Sequence, residues 1–277
     1  MSSNDLINYK IIIRKVFHGL DIIRYWNWQE RIQSIMMATM LVLMNEYRVF
    51  VPWAQLIVFI AYLYCIYAYG YLLNVYADRE ADLKVQKTTF TRESKSMIRN
   101  WLIVLGMITL LTPVYFQNVY ILLLTFFGVT AATLYSMRPI RLKEKGLIGL
   151  LIAAICQRLP FLFIMYIIPA VNFKLIIYLF GWLLIISFLI EISHQLSDHS
   201  NDLKTKTNTF VVMVGVEKTK AIIFYNSLIL GVYLFLPVLE NGFNGLFMTC
   251  LLFIFSHGAI AYTNAMVGSV KSQENIS

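Results

Sequence analysis

Apolar residues in this chain come in blocks about twenty residues long. That is the length a helix needs to cross roughly 30 Å of hydrocarbon. Blocks of this kind leave little choice of architecture, and the sequence reads as an all-α, polytopic transmembrane helical bundle. Eight spans are expected, at 28–46, 52–73, 98–117, 119–137, 147–168, 173–195, 219–239 and 245–268. Composition agrees: 59% of the 277 residues are hydrophobic and the mean hydropathy is +0.67, whereas a soluble domain rarely exceeds about half apolar content. The chain is read as one integral-membrane domain over residues 1–277. No cleavable signal peptide is evident, because Lys10, Arg14, Lys15, Arg24 and Arg31 are too dispersed for a charged leader and no short apolar stretch with a cleavage site follows them.

Charge sets the expected orientation. Nineteen of the 23 lysines and arginines fall in the N-terminal segment and in the loops after spans two, four and six. Positive residues favour the cytoplasmic side, which places those three loops there. The net charge of +8 is accounted for by this collar facing anionic lipid, without a nucleic-acid partner. Cys65, Cys156 and Cys250 all fall within spans with no metal-site spacing, and read as small packing residues.

Two of the basic loops open with an unusual pattern. Asn74, Asp78 and Asp82 follow span two at four-residue spacing, and Asp198 and Asp202 follow span six in the same way. On a helix, residues four apart share a face and climb about 6 Å per step. Carboxylates so close repel one another unless a cation lies between them. Oxygen ligands of this kind suit Mg²⁺, which takes one or two carboxylates from protein and the rest from water and substrate phosphates. A single such pair at a membrane boundary would be an ordinary solvated helix end. Two on one side of the membrane point instead to a metal-assisted diphosphate site, with Lys84, Lys87, Arg138, Arg141 and Lys143 available to neutralise further charge.

Three segments carry a family resemblance. The stretch NVYADREAD (74–82) resembles the first aspartate motif of the UbiA superfamily of intramembrane prenyltransferases. The stretch DHSND (198–202), with TFVVMVG after it, is similar to the second motif, and LYSMRPIRLKEKGLIG (134–149) to the segment between spans four and five. Together they span roughly residues 20–220. The resemblance implies a helical bundle around a lipid-accessible cavity, a prenyl diphosphate held through Mg²⁺ between the motifs, and pyrophosphate loss to an allylic cation that a lipophilic acceptor captures. It also implies roles: Asn74, Asp78, Asp82, Asp198 and Asp202 as metal ligands, and Lys143, Arg141 and Lys87 as diphosphate contacts. The chain departs from the family in having Asn74-Val75 where many members have Asn-Asp, no Arg-Pro shortly after the first motif, and eight spans where nine are usual.

Other polar residues lie inside the spans. Arg158, near the middle of span five, costs at least about 2.5–3.5 kcal/mol there on insertion scales, so it should face the bundle interior and pair, either bracing two helices or touching substrate. Pro160 should kink that span. Glu191 and His194 share the helical face of Asp198, and each is a candidate base for the acceptor's proton; each is also a candidate for plain interhelical hydrogen bonding. Tyr62, Tyr67 and Tyr71 are candidates to stabilise positive charge through their ring faces.

The expected activity is thus transfer of a prenyl group, an alkyl group larger than methyl, from an isoprenoid diphosphate. A cyclase on the same fold, in which the cation is captured by the chain's own double bond, remains open, as does a non-catalytic transporter or scaffold that binds a cation. A single Asp-x-x-Asp-Gly block, expected of membrane CDP-alcohol phosphotransferases, is not present.

Overall fold

A computed structural model describes the backbone of residues 28–45, 53–84, 95–168 and 171–274. The N-terminal cations before Trp28, together with Lys87 and Arg92, lie outside the described residues. All described elements are helical. They are α1 (Gln29–Asn45), α2 (Trp53–Lys84), α3 (Lys95–Tyr115), α4 (Val119–Ser136), α5 (Leu147–Cys156), α6 (Ile164–Ile167), α7 (Phe173–Thr205), α8 (Phe210–Val214), α9 (Val216–Leu234) and α10 (Leu236–Glu274). Short 3₁₀ turns occupy Leu142–Glu144 and Leu159–Phe163. Six of the helical segments are long and apolar enough to cross a membrane; α1, at 17 residues, and the apolar stretch Gly245–Gly258 are shorter. The protein is an integral membrane protein.

Burial orders the helices. More than half of the apolar stretch of α7 is buried within the protein, against 17% for α3, whose Ile103, Met107, Leu111 and Val114 face outward, as expected of a lipid-facing helix. α7 packs against α1, α5, α8, α9 and α10, and Leu179, Trp182, Leu183, Leu189 and Ile192 on it are fully buried. α2 packs on α3 and α4, and α4 on α5. Trp28, stacked on Tyr67 with ring centroids 6.0 Å apart, links the start of α1 to α2.

Local chemistry sets where the elements begin and end. Asn118 caps α4 by accepting from the backbone N–H of Tyr120 and Ile121, and Asn172 caps α7 by accepting from Lys174 and Leu175; each satisfies orphan donors of the first turn. Span five is broken rather than bent. α5 ends at Cys156, Pro160 sits in the 3₁₀ turn, and α6 resumes at Ile164, because proline removes a helical donor and clashes with the preceding turn.

Two expectations change here. The loops expected at 74–97 and 196–218 begin later, since α2 continues to Lys84 and α7 to Thr205. Both aspartate ladders therefore stand on unbroken extensions of membrane helices. Tyr62 belongs to the core: its hydroxyl pairs with Thr125 at 3.1 Å and its ring stacks on Phe163.

Candidate active site

A cavity of about 180 Å³ lies between α2, α4, α5 and α7. Its walls are mostly small or apolar, with Gly70, Gly128, Ala131 and Ala153 among them. Its polar lining comes from Tyr67, Tyr71 and Asn74 on α2, Tyr135 and Ser136 on α4, Gln157 after α5 and Glu191 on α7. Tyr67 and Tyr71, two of the three expected ring faces, line it.

Asn74 sits where this cavity meets the first ladder. Lys143, in the turn between α4 and α5, donates to Asn74 Oδ1 at 3.1 Å and also to Asp78 Oδ2. Arg141 Nη2 donates to the other Asp78 oxygen at 2.9 Å and pairs through Nε with Glu144 at 2.7 Å. Both cations are buried to within a tenth of full burial, so these are charge-assisted contacts of the stronger kind. The turn that presents them is demanding. Arg141 adopts a left-handed φ of 46°, which costs a non-glycine residue about 1 kcal/mol or more. Gly149 at the start of α5 lies so close to the turn that a Cβ there would collide with the Leu142 carbonyl oxygen and crowd Lys143 Cα.

The second ladder is held differently. Asp202 Oδ2 accepts from Thr209 Oγ1 at 3.1 Å, and Gln195 Oε1 accepts from the Phe210 N–H, tying the start of α8 back onto α7. Lys206 stops α7 with a left-handed φ of 57°. Asp198 is half-buried on the same helix. The ends of both ladder helices line one polar cavity of about 790 Å³, with Arg79, Lys95, Arg138, Arg141, Lys204 and Lys206 around it. Asp82 follows Asp78 by one helical turn of α2. Among the described residues no three His, Cys, Asp or Glu side chains converge.

Deeper in the protein a buried polar network backs the first cavity. Glu191 Oε1 accepts from the Tyr135 hydroxyl at 3.2 Å, and Oε2 accepts from Gln157 Nε2 at 3.0 Å with Arg31 Nη2 3.8 Å away. Gln157 Oε1 in turn accepts from Arg31 Nε (2.6 Å) and Ser187 Oγ (3.2 Å). Arg31 also pairs with Glu30 at 2.6 Å and lies over the Tyr71 ring. Arg158, fully buried, donates to the Arg31 carbonyl and to Ser34 Oγ. It braces α1 through neutral acceptors, in line with the bracing role expected for it, and it is not among the residues lining the cavity. His194 is half-buried one turn along α7 and is not among the residues lining the cavity. The sequence reading missed Tyr135, Gln157 and Arg31 as members of this group; the signal was a glutamine beside Arg158 within an otherwise apolar span.

Comparison with known proteins identifies the family and the fold. The family model described as the UbiA prenyltransferase family matches residues 35–274. The fold is similar to that of a UbiA homologue from Archaeoglobus fulgidus. Its structure bound to GPP and Mg²⁺ has a TM-score of 0.70 and 16% identity, covering 91% of this chain and 87% of that one. Its structure bound to DMAPP and Mg²⁺ gives 0.70 and 14%, covering 90% and 98%. A Cd²⁺-bound structure of a homologue from the same organism gives 0.68 and 16%, covering 93% and 90%. No curated protein matches the sequence.

Proposed function

The chain belongs to the UbiA prenyltransferase family, and on that premise we propose that it transfers a prenyl group from an isoprenoid diphosphate to a lipophilic acceptor within the membrane. The observation that carries this reading is the position of Asn74. It lines the apolar cavity and shares the Lys143 ammonium with Asp78, so a diphosphate at the ladder would have its hydrocarbon tail at the entrance to an apolar space.

The donor set fits a divalent cation. Lys143 already brings one positive charge against oxygens of both Asn74 and Asp78, which supports their meeting on one cation. Asp82, Asp198 and Asp202 are the further oxygen donors that would complete a Mg²⁺ set together with water and substrate phosphate, and the Archaeoglobus homologue is described with GPP or DMAPP and Mg²⁺. Bound Mg²⁺ would neutralise charge building up on the leaving diphosphate.

The protein's own groups do the rest. Arg141 and Lys143 are aimed at Asp78; a diphosphate arriving there would compete with Asp78 for these two cations. The donor's C1–O bond breaks with its electron pair going to pyrophosphate. The acceptor's electron pair closes the new bond at C1, and its proton passes to a base, for which Glu191 and His194 are the candidates. Glu191 is favoured because it lines the cavity. Apolar walls keep water from the cation, and the rings of Tyr67 and Tyr71, each with one face already taken by Trp28 or Arg31, border the space it would occupy and could stabilise it. The lysine and arginine bias supports an orientation with the ladders on the cytoplasmic side.

The test is pyrophosphate release from C10, C15 and C20 prenyl diphosphates by the protein in membranes, with Mg²⁺ or EDTA and with or without lipid extract. Release that needs Mg²⁺ and extract, and is lost in Asp78→Asn and Asp202→Asn, supports the transferase. Release indifferent to extract would indicate a cyclase. Absence of both release and prenyl diphosphate binding would remove the enzyme reading.

A further inference from the structure

Glu191 carries the one formal charge among the described residues lining the apolar cavity. A carboxylate facing such a space is costly unless its oxygens are satisfied. The protein satisfies them in part. One hydrogen bond reaches each oxygen, from Tyr135 to Oε1 and from Gln157 to Oε2, and Arg31 stands 3.8 Å from Oε2. A carboxylate has about four lone-pair positions, so Oε1 in particular retains capacity on a side chain that borders the cavity.

The surrounding network fixes this presentation. Gln157 is held with its amide N–H toward Glu191, because Arg31 and Ser187 both donate to its carbonyl oxygen. The Tyr67 hydroxyl holds the Gln157 backbone carbonyl. Arg31 has its closer carboxylate partner in Glu30, and Arg158 is turned to the Arg31 carbonyl and Ser34. The group that remains to meet an occupant of the cavity at this end is an acceptor of hydrogen bonds.

We propose that Glu191 is the specificity-determining residue for the acceptor and that it selects a substrate presenting a hydroxyl group into this cavity. The inference rests on the prenyl-transfer reading above and deepens it. A hydroxylic acceptor donates to the carboxylate and is thereby held on the α7 wall of the cavity. An aprotic analogue of equal size leaves the same oxygen desolvated and unpaired, which is how sites built to hydrogen-bond a hydroxyl reject analogues lacking one.

The experiment uses the full chain in lipid nanodiscs and matched probes: tritiated 4-octylphenol against 4-octylanisole, and 1-dodecanol against its methyl ether, each corrected for uptake by empty nanodiscs. Binding of tritiated geranyl diphosphate with Mg²⁺ is measured on the same samples. Wild-type protein is expected to bind each hydroxylic probe at least tenfold more tightly than its ether. Glu191→Leu should bring that ratio within twofold, with geranyl diphosphate binding kept. Glu191→Gln retains an acceptor oxygen without the charge, and should give an intermediate ratio even if the leucine variant fails to fold. Equal binding of alcohol and ether by wild type, binding of neither, or an unchanged ratio in Glu191→Gln would overturn the inference, and retained geranyl diphosphate binding would then leave the donor reading standing. Loss of geranyl diphosphate binding by wild-type protein would instead overturn the reading beneath it.

Discussion

Lys143 and Asn74 are joined by a 3.1 Å hydrogen bond at the boundary between an apolar cavity and a ring of charge. The same ammonium holds Asp78 one turn further along α2. A lysine from the turn between α4 and α5 thus sets the side-chain positions of two ladder residues at once. Lys143→Ala should weaken binding of geranyl diphosphate in Mg²⁺ by roughly tenfold or more, the scale of a lost hydrogen bond to a charged group. Equilibrium binding in nanodiscs measures this, and an unchanged affinity would remove Lys143 from the diphosphate site.

Asp78 pairs with both Arg141 and Lys143, and Glu144 supplies a second carboxylate to Arg141. Asp78→Asn is expected to lower turnover by at least about a hundredfold, as for loss of a preorganised electrostatic group. It should also lower thermal stability in metal-free buffer, because two largely buried cations lose their shared partner. Prenyl diphosphate added to the variant should restore part of that stability, read as a rise in Tm relative to diphosphate-free protein.

Gly149 tests the scaffold rather than the ligands. A methyl group there must displace the Leu142–Glu144 turn, and overpacking of this kind costs about 1–3 kcal/mol. Gly149→Ala should therefore lower Tm and weaken diphosphate binding together, although position 149 itself contributes no side-chain atom. Unaltered binding would mean that the turn can shift without moving Lys143.

The tyrosines should separate by position. Tyr71→Leu removes a ring from the cavity lining and should reduce kcat by roughly tenfold, a loss of 1–2 kcal/mol of cation–π stabilisation. Tyr62→Phe removes only a buried hydrogen bond to Thr125, at a cost of about 1 kcal/mol in stability, with kcat changed less than threefold. Steady-state kinetics with thermal melts on both variants decides between the two roles.

What the sequence made legible was chemistry repeated at a fixed interval. Four-residue spacing placed Asn74, Asp78 and Asp82 on one helix face, and short separation along the chain put Arg141 and Lys143 in one turn. Hydropathy located the spans but not the helix ends, since it reports where lipid stops and not where backbone hydrogen bonding stops; α2 and α7 run on past that point to Lys84 and Thr205. Periodicity also cannot say which neighbour a face meets, so Tyr62 and Tyr71 looked alike until Phe163 and Thr125 were found against the first. The Arg31–Gln157–Glu191–Tyr135 network draws one residue from each of four distant segments, and no local pattern encodes such a meeting.

α7 connects Glu191 to Asp198 and Asp202 through continuous helix. Seven residues at 1.5 Å make that first interval about 10.5 Å, and eleven make the second about 16 Å. The helix is therefore a ruler between two chemistries, and it fixes phase as well as length. One residue inserted between Glu191 and Asp198 would turn the two groups about 100° out of register, disconnecting the cavity from the ladder although no side chain is removed. Separation and bearing are stored in the backbone of a single helix, so neither group can be retuned without the other.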